Sequence, residues 1–140
     1  MFKNFNKISG FALTIMAVVL CADIAGSQTA PALYAQLKGT VRNDQGRPVG
    51  GIAVTLKPTV YAYGAHNYIA VSDLSGRYEI KNIARYVYSS GSAPKWVDYY
   101  ISVSSPGYAD YVSNVINFQN STSIKMDIKL APAKKSYRRR

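Results

Sequence analysis

Beyond its first segment the chain alternates apolar and polar positions. Leu37, Gly39 and Val41 are separated by Lys38, Thr40 and Arg42, the period of two that a half-buried strand requires. The turn formers Asn43-Asp44-Gln45-Gly46-Arg47-Pro48 follow, with Gly46 suited to positive φ. Ile52, Val54 and Leu56 resume the alternation against Ala53, Thr55 and Lys57 until Pro58 closes the run. Tyr68 to Asp73 predicts a third strand. Leu74-Ser75-Gly76 is a hairpin-sized loop into a fourth, Arg77 to Lys81, where Tyr78 and Ile80 share a face. Tyr99, Ile101 and Val103 mark a fifth. Ser105-Pro106-Gly107 turns the chain towards a sixth, which carries Val112, Ile116 and Phe118. In the seventh, Ile124, Met126, Ile128 and Leu130 alternate with Lys125, Asp127 and Lys129. No helical period of comparable length appears outside the first segment. Seven short strands in about 95 residues, divided by Gly, Pro and Asn turns, predict an all-β fold, an antiparallel β-sandwich.

The first segment reads as an address. Met1 to Lys7 carries Lys3 and Lys7 and no acid, and Ile8 to Ala22 is almost wholly apolar, a charged start followed by a short hydrophobic stretch as in a secretory signal peptide. Those fifteen residues fall short of the ~20 that span a bilayer, and Asp23 ends the run. Small residues follow at Ala25-Gly26-Ser27, Ala30-Pro31-Ala32 and Ala35. Cleavage after Ala35 or after Ala32 fits, and the sequence does not choose between them. An uncleaved anchor and a lipoprotein acylated at Cys21 are the alternatives. Leu20 stands before Cys21 where a lipoprotein usually has Gly, Ala or Ser, which weighs against the second. Residues 1–35 are thus expected to be a signal peptide and the protein to be exported.

Composition narrows the chemistry. The chain has 140 residues, 17 Lys and Arg against 7 Asp and Glu, a formal charge of +10, one His and one Cys. A Cys- or His-rich zinc site usually draws on about three or four protein ligands, so one cannot be assembled from this chain. A single Cys forms no disulfide framework. The charge divides unevenly: Lys3 and Lys7 against Asp23 leave +1 on residues 1–35, ten bases against six acids leave +4 on residues 36–131, and five bases leave +5 on residues 132–140. The last stretch, with Lys134, Lys135, Arg138, Arg139 and Arg140, reads as a solvated, disordered basic tail able to attract an anionic surface. Any charge-driven partner is therefore expected to depend on the tail, and nucleic acid is not expected as a partner.

Three motifs carry a family resemblance. Gly39-Thr40-Val41-Arg42-Asn43-Asp44-Gln45-Gly46-Arg47-Pro48-Val49-Gly50-Gly51-Ile52-Ala53-Val54-Thr55-Leu56 resembles the opening of a carboxypeptidase regulatory-like domain. Val71-Ser72-Asp73-Leu74-Ser75-Gly76-Arg77-Tyr78-Glu79-Ile80 is similar to that family's central hairpin, and Tyr100-Ile101-Ser102-Val103 with Pro106-Gly107-Tyr108 to its third signature. The likeness covers residues 36–131. It implies a seven-stranded transthyretin-like (prealbumin-like) sandwich in a small exported bacterial protein, of a kind that serves as an accessory or binding module outside the cytoplasm. Each motif also has a purely structural reading: Gly46 and Gly76 permit tight turns, Pro48 fixes φ, and Asp44 and Asp73 cap turn backbone. Calcium at those two Asp residues would need about six converging oxygens, which the few neighbouring acids do not supply.

Catalytic constellations are sparse. The resemblance is to an accessory domain, and a zinc peptidase would need two His and a Glu where this chain has His66 and Glu79. Counting does not exclude a Ser-His-Asp triad, but Ser90-Gly91-Ser92-Ala93 lacks the Gly-x-Ser-x-Gly spacing. The related adhesin modules that carry a Lys–Asn crosslink place a Glu before Pro-Gly-Tyr, and Ile101 to Pro106 holds no carboxylate. The expectation is a chain that is not an enzyme and has no cofactor and no metal.

Tyrosine is the unusual feature. Ten of the 12 Tyr fall between Tyr61 and Tyr111, concentrated in the segments 59–68 and 85–96, which are expected to be loops. Tyr61, Tyr63, Tyr68, Tyr86, Tyr88 and Trp96 are the candidate partner or glycan contacts, because an aromatic ring with a polar tip suits both sugar and protein surfaces. Tyr78, Tyr99 and Tyr108 are read as packing within the sheets. Asn120-Ser121-Thr122 reads as a simple turn. The expected function is a non-catalytic module for protein interaction or structure at the cell envelope, periplasmic, cell-surface or secreted. Its expected partner is an envelope protein or a surface polysaccharide, with a carbohydrate-binding module that stacks loop Tyr and Trp on sugar as the alternative.

Overall fold

The structure, a computed structural model, describes residues 32–61, 65–88 and 93–134. Residues 1–31 of the leader, Tyr63 and the tail residues Lys135, Arg138, Arg139 and Arg140 lie outside these. The described chain is all-β, with strands β1 (Tyr34–Asn43), β2 (Ala53–Pro58), β3 (Tyr68–Val71), β4 (Arg77–Ala84), β5 (Tyr86–Val87), β6 (Lys95–Trp96), β7 (Asp98–Val103), β8 (Tyr111–Val112), β9 (Ile116–Asn117), β10 (Ser123–Lys125) and β11 (Ile128–Leu130). Every run of alternation in the sequence contains a strand.

The strands form two main sheets and a ribbon. In the first sheet β1 is central, with β4 antiparallel on one side and β10 and β11 end to end on the other. In the second the order is β3, β2, β7, and then β8 and β9 end to end along β7, all antiparallel. Leu37, Val41, Ile80 and Ile83 of the first sheet share one buried cluster with Val54, Leu56, Tyr99 and Ile101 of the second. These are the apolar members of each alternation, so a one-residue slip in register would turn them all to solvent.

Two expectations are corrected. The fold is not purely antiparallel, because β10 and β11 run parallel to β1, pairing Lys38 with Lys125 and Arg42 with Lys129. A tight hairpin forces antiparallel pairing only between successive strands. Here the partners are the first and last strands, joined through the whole of the second sheet, so no turn fixes their direction. The segment 85–96 is not wholly a loop: β5 and β6 pair there, Tyr86 opposite Trp96 and Val87 opposite Lys95.

The two interrupted strands have local causes. Ser113 separates β8 from β9, its hydroxyl accepting from the Ile101 amide (2.8 Å) and donating to the Asn114 carbonyl (2.7 Å). Met126 and Asp127 separate β10 from β11. Met126 crowds β1 so closely that a Cβ at Gly39 would stand 1.7 Å from the Met126 carbonyl oxygen, which only glycine permits.

The first and central hairpin turns are built alike. Asn43 Oδ1 accepts from the Gln45 and Arg47 amides, and Asp73 Oδ1 accepts from the Ser75 and Arg77 amides, each at 2.9–3.0 Å. Gly46 and Gly76 then take φ of 77° and 76°. The cap of the first turn is thus Asn43 rather than Asp44, because the side chain that reaches the amides two and four residues on must stand at the start of the turn.

Candidate binding surfaces

The segment 59–61 and the β5–β6 ribbon meet at one end of the molecule. The Thr59 amide donates to the Asp98 carbonyl (2.8 Å), which lays the start of this loop beside the entry to β7. A cleft of about 100 Å³ runs between Thr59 and Val60 on one side and Val87, Lys95 and Trp96 on the other. Val60 on its wall is exposed at 67%, and Tyr61 and Tyr88, which follow Val60 and Val87 in the chain, are exposed at 68% and 61%. Trp96 is half-buried, and the Arg85 guanidinium lies 5.2 Å from its ring centre.

Not all the predicted contact residues reach this surface. Tyr86 is buried, edge-on to both Trp96 (5.3 Å) and Tyr88 (5.4 Å). Tyr68 is half-buried: its ring meets Tyr99 edge-on at 6.1 Å and its hydroxyl accepts from the Ala84 amide (2.9 Å). Both are therefore packing residues, corrected from contacts. Strand pairing through β3 and β5 turns these two rings inward, where an aromatic side chain buries the most area. Tyr61, Tyr88 and Trp96 remain as surface groups, and Tyr63 lies outside the described residues. The packing roles of Tyr78 and Tyr99 hold, since both are buried and their hydroxyls donate to the carbonyls of Met126 and Ala84, each at 2.6 Å.

The end is anchored by a residue that sequence reasoning passed over. Arg85 is buried and donates to three backbone carbonyls, Phe118 (2.9 Å), Ala32 (2.6 Å) and Gln119 (3.1 Å). A buried guanidinium needs such partners for its fixed fork of donors. No sequence pattern marked it, because all three acceptors are main-chain atoms distant along the chain.

The outer faces of the two sheets differ in character. On the first, β1 exposes Lys38 and Arg42, β4 exposes Arg77 and Lys81, and β10 and β11 expose Lys125 and Lys129. An open groove of about 810 Å³ crosses this face. Its lining includes Asp73, whose carboxyl is lowered chiefly by the Ser75 hydroxyl, and Thr40, whose hydroxyl is the chief cause holding the carboxyl of Asp127 below the usual range. The second outer face carries no comparable charge. Ile69, Thr55, Ser102 and Val112 lie opposite one another across β3, β2, β7 and β8, with Val71 opposite Ala53 beside them. Ile69, Val71 and Val112 are exposed at 67%, 61% and 65%, and β3 is an edge strand. Among the described residues no group of three or more His, Cys, Asp or Glu side chains converges.

No protein-family model and no curated protein sequence matches the chain. Solved structures do resemble it. Catechol 1,2-dioxygenase from Acinetobacter radioresistens superposes with a TM-score of 0.55 at 12% identity over 83% of this chain and 59% of that one. Catechol 1,2-dioxygenase from Pseudomonas arvilla C-1 gives 0.54 at 14% identity over 79% and 56%. Hydroxyquinol 1,2-dioxygenase from Pseudomonas putida DLL-E4 gives 0.53 at 13% identity over 75% and 58%. The chain spans less than two thirds of each, and at such identities the likeness is one of fold. It nevertheless corrects the expectation that the chain is not an enzyme. That expectation leaned on an accessory-module architecture, and these neighbours are enzymes built with the same fold.

Proposed function

We propose that the chain is an exported binding module of the bacterial cell envelope, acting in protein interaction or structure. In this reading the export signal lies within residues 1–35, the body is a seven-stranded transthyretin-like sandwich of the carboxypeptidase regulatory-like kind, and the basic tail tethers it to an anionic surface. The sandwich reading is supported by two sheets around one core, with β8 and β9 counting as one interrupted strand and β10 and β11 as another.

The observation that carries the function is the open edge at β3. An edge strand presents unpaired backbone groups on its free side, and here its outward side chains are Ile69 and Val71 rather than the charges that usually protect such an edge. An extended segment of another polypeptide fits it, adding a strand through main-chain hydrogen bonds and covering the two apolar side chains. The test is chemical crosslinking in envelope extracts with the wild type, an Ile69→Lys/Val71→Lys variant and a Trp96→Ala variant. A protein crosslinked by the wild type and by Trp96→Ala, but lost from the double variant, supports the reading. The same set of crosslinks from all three overturns it.

The cleft beside Trp96 favours a second reading, a carbohydrate-binding module in which Tyr61, Tyr88 and Trp96 stack on sugar. A glycan array with wild type and Trp96→Ala decides it: no sugar bound by the wild type sinks this reading.

A further inference from the structure

The strongest asymmetry in the molecule is electrostatic. Of the ten bases in residues 36–131, six stand on the outer face of the first sheet, with Glu79 and Asp127 of the six acids among them and Asp73 at the groove's rim. Composition hides this, because Asp44, Asp98 and Asp110 on other parts of the surface cancel the excess. We infer that the outer face of β4, β1 and β10–β11 binds an anionic polysaccharide, independently of the aromatic end.

The cations are regularly placed. On β4, on β1 and along β10–β11 they recur four residues apart, as Arg77 and Lys81, Lys38 and Arg42, and Lys125 and Lys129. Four residues of strand span about 13 Å, and neighbouring strands lie about 4.8 Å apart. The parallel register sets Lys38 directly beside Lys125, and Arg42 beside Lys129. The result is two rows of paired charge about 13 Å apart, with Arg77, opposite Thr40, between them. Among the described residues only Lys81 (to Glu79, 3.2 Å) and Lys125 (to Asp127, 3.7 Å) of the six form ion pairs. The remaining positive charge faces solvent.

The chemistry of the face selects the occupant. A groove of about 810 Å³ crossed by several cations suits a polymer with repeated charges rather than a single small anion. Among the described residues a single exposed aromatic, Tyr34, stands beside Gln36 and Lys81 at the margin of the face, where stacking successive nucleic-acid bases would need several. The exposed apolar side chain on the groove is Val71, at its rim beside Asp73 and Ser75, too little apolar surface to anchor an acidic peptide or enter a bilayer. What fills the gaps between charges is neutral and hydrogen-bonding: Gln36, Thr40, Ser75 and Ser123. Carboxylate-bearing sugars offer both the charge and the hydroxyls that such a surface takes; Arg77 can hold a carboxylate through two parallel hydrogen bonds, and Arg42, whose Nη1 donates to the Gly46 carbonyl (2.9 Å), through its remaining donors.

The test measures binding of polygalacturonate to the full chain at low and moderate salt, with neutral dextran, poly-L-glutamate and oligodeoxythymidine as comparison ligands. The face variant is Arg42→Gln/Arg77→Gln/Lys125→Gln. The control, Arg47→Gln/Lys57→Gln/Lys95→Gln, removes the same charge elsewhere, and a third variant replaces the five tail bases by Gln. Polygalacturonate affinity is expected to fall at least tenfold in the face variant and less than twofold in the control, with weaker salt dependence in the face variant and no binding of dextran. Lys38→Gln/Lys129→Gln repeats the test at the other cations of the paired rows. Equal losses in face and control variants overturn the inference, as does loss in the tail variant alone. Poly-L-glutamate or oligodeoxythymidine binding as tightly as polygalacturonate, with the same dependence on the face, also overturns it.

Discussion

The carboxylate of Asp127 takes the place of a strand carbonyl beside Thr40: its Oδ1 accepts from both the Thr40 amide and the Thr40 hydroxyl, each at 2.9 Å. The ladder between β1 and the last strand is broken at this point, and the side chain restores the missing acceptor. Replacing Asp127 by Ala leaves the Thr40 amide to water and is expected to lower stability by about 1 kcal/mol, with Asn losing less because it keeps an acceptor. Urea unfolding at pH 7 measures both.

Acid should weaken the fold through the same group. Hydrogen bonds hold Asp127 and Asp73 below the usual carboxylate range, so between the folded and unfolded pKa values the unfolded chain binds more protons. Their contribution is present above the unfolded value of about 4 and is lost as pH falls through the lower, folded values. The urea midpoint should drop from pH 6 to pH 3, and an Asp73→Asn/Asp127→Asn variant should show a smaller drop. An unchanged drop would remove these two groups from the explanation.

Gly39→Ala should be among the most damaging single changes. The added methyl would stand 1.7 Å from the Met126 carbonyl oxygen and 3.1 Å from the Tyr78 ring, both in the packed interior of the sheet. A loss of at least about 3 kcal/mol follows, since neither backbone nor ring can retreat without opening the β1–β10 contact. Thermal unfolding of Gly39→Ala against Gly39→Ser would show both variants severely destabilised.

Alkali acts on the buried tyrosines. Burial is the main cause raising the Tyr78 and Tyr99 hydroxyl pKa values, so the folded state retains protons that the unfolded chain releases. Their contribution is complete below pH about 10 and declines as pH rises further. Tyr78→Phe leaves the Met126 carbonyl without its 2.6 Å donor and should cost about 1 kcal/mol at pH 7. It should also flatten the alkaline decline. Equilibrium unfolding from pH 8 to pH 11.5 tests both.

The N-terminus of any processed form should lie upstream of Ala32. Ala32 offers its carbonyl to Arg85, Leu33 offers its own to the Arg85 amide, and Ala35 is buried opposite Ile83. Cutting after Ala32 or Ala35 would deprive a buried guanidinium of an acceptor and, in the second case, shorten β1. The intact mass of any processed form should therefore retain residues 32–35, and a chain that begins at Leu33 or Gln36 would contradict this. Arg85→Met should in turn cost about 3 kcal/mol by chemical denaturation, because three carbonyls lose a charged donor.

How legible the chain was varies with the range of the interaction. The alternation at Leu37, Val41, Val54, Leu56, Ile101 and Val103 marked the buried faces, since a strand's side chains change sides at every residue whatever it packs against. The Gly46 and Gly76 turns were legible for a similar reason: positive φ is a local demand, and glycine meets it. The aromatic contacts were only half legible. A period of two says that Tyr68 and Tyr86 lie in or near strands, but which of the neighbouring rings enters the core depends on the pairing of β3 with β2 and of β5 with β6.

The sequence by itself determined that this is an all-β chain, where most of its strands run, which residues form its core, and where its turns fall, because each of these follows from periods and φ preferences a few residues long. Only the tertiary structure decided that the last strand lies parallel to the first, that Arg85 is buried, and that six cations from four separate strands form one surface. These depend on pairings between residues up to 87 positions apart, such as Gln36 with Ser123. Charge along a chain adds up as a number, and only when the strands are laid side by side does that number acquire a direction in space.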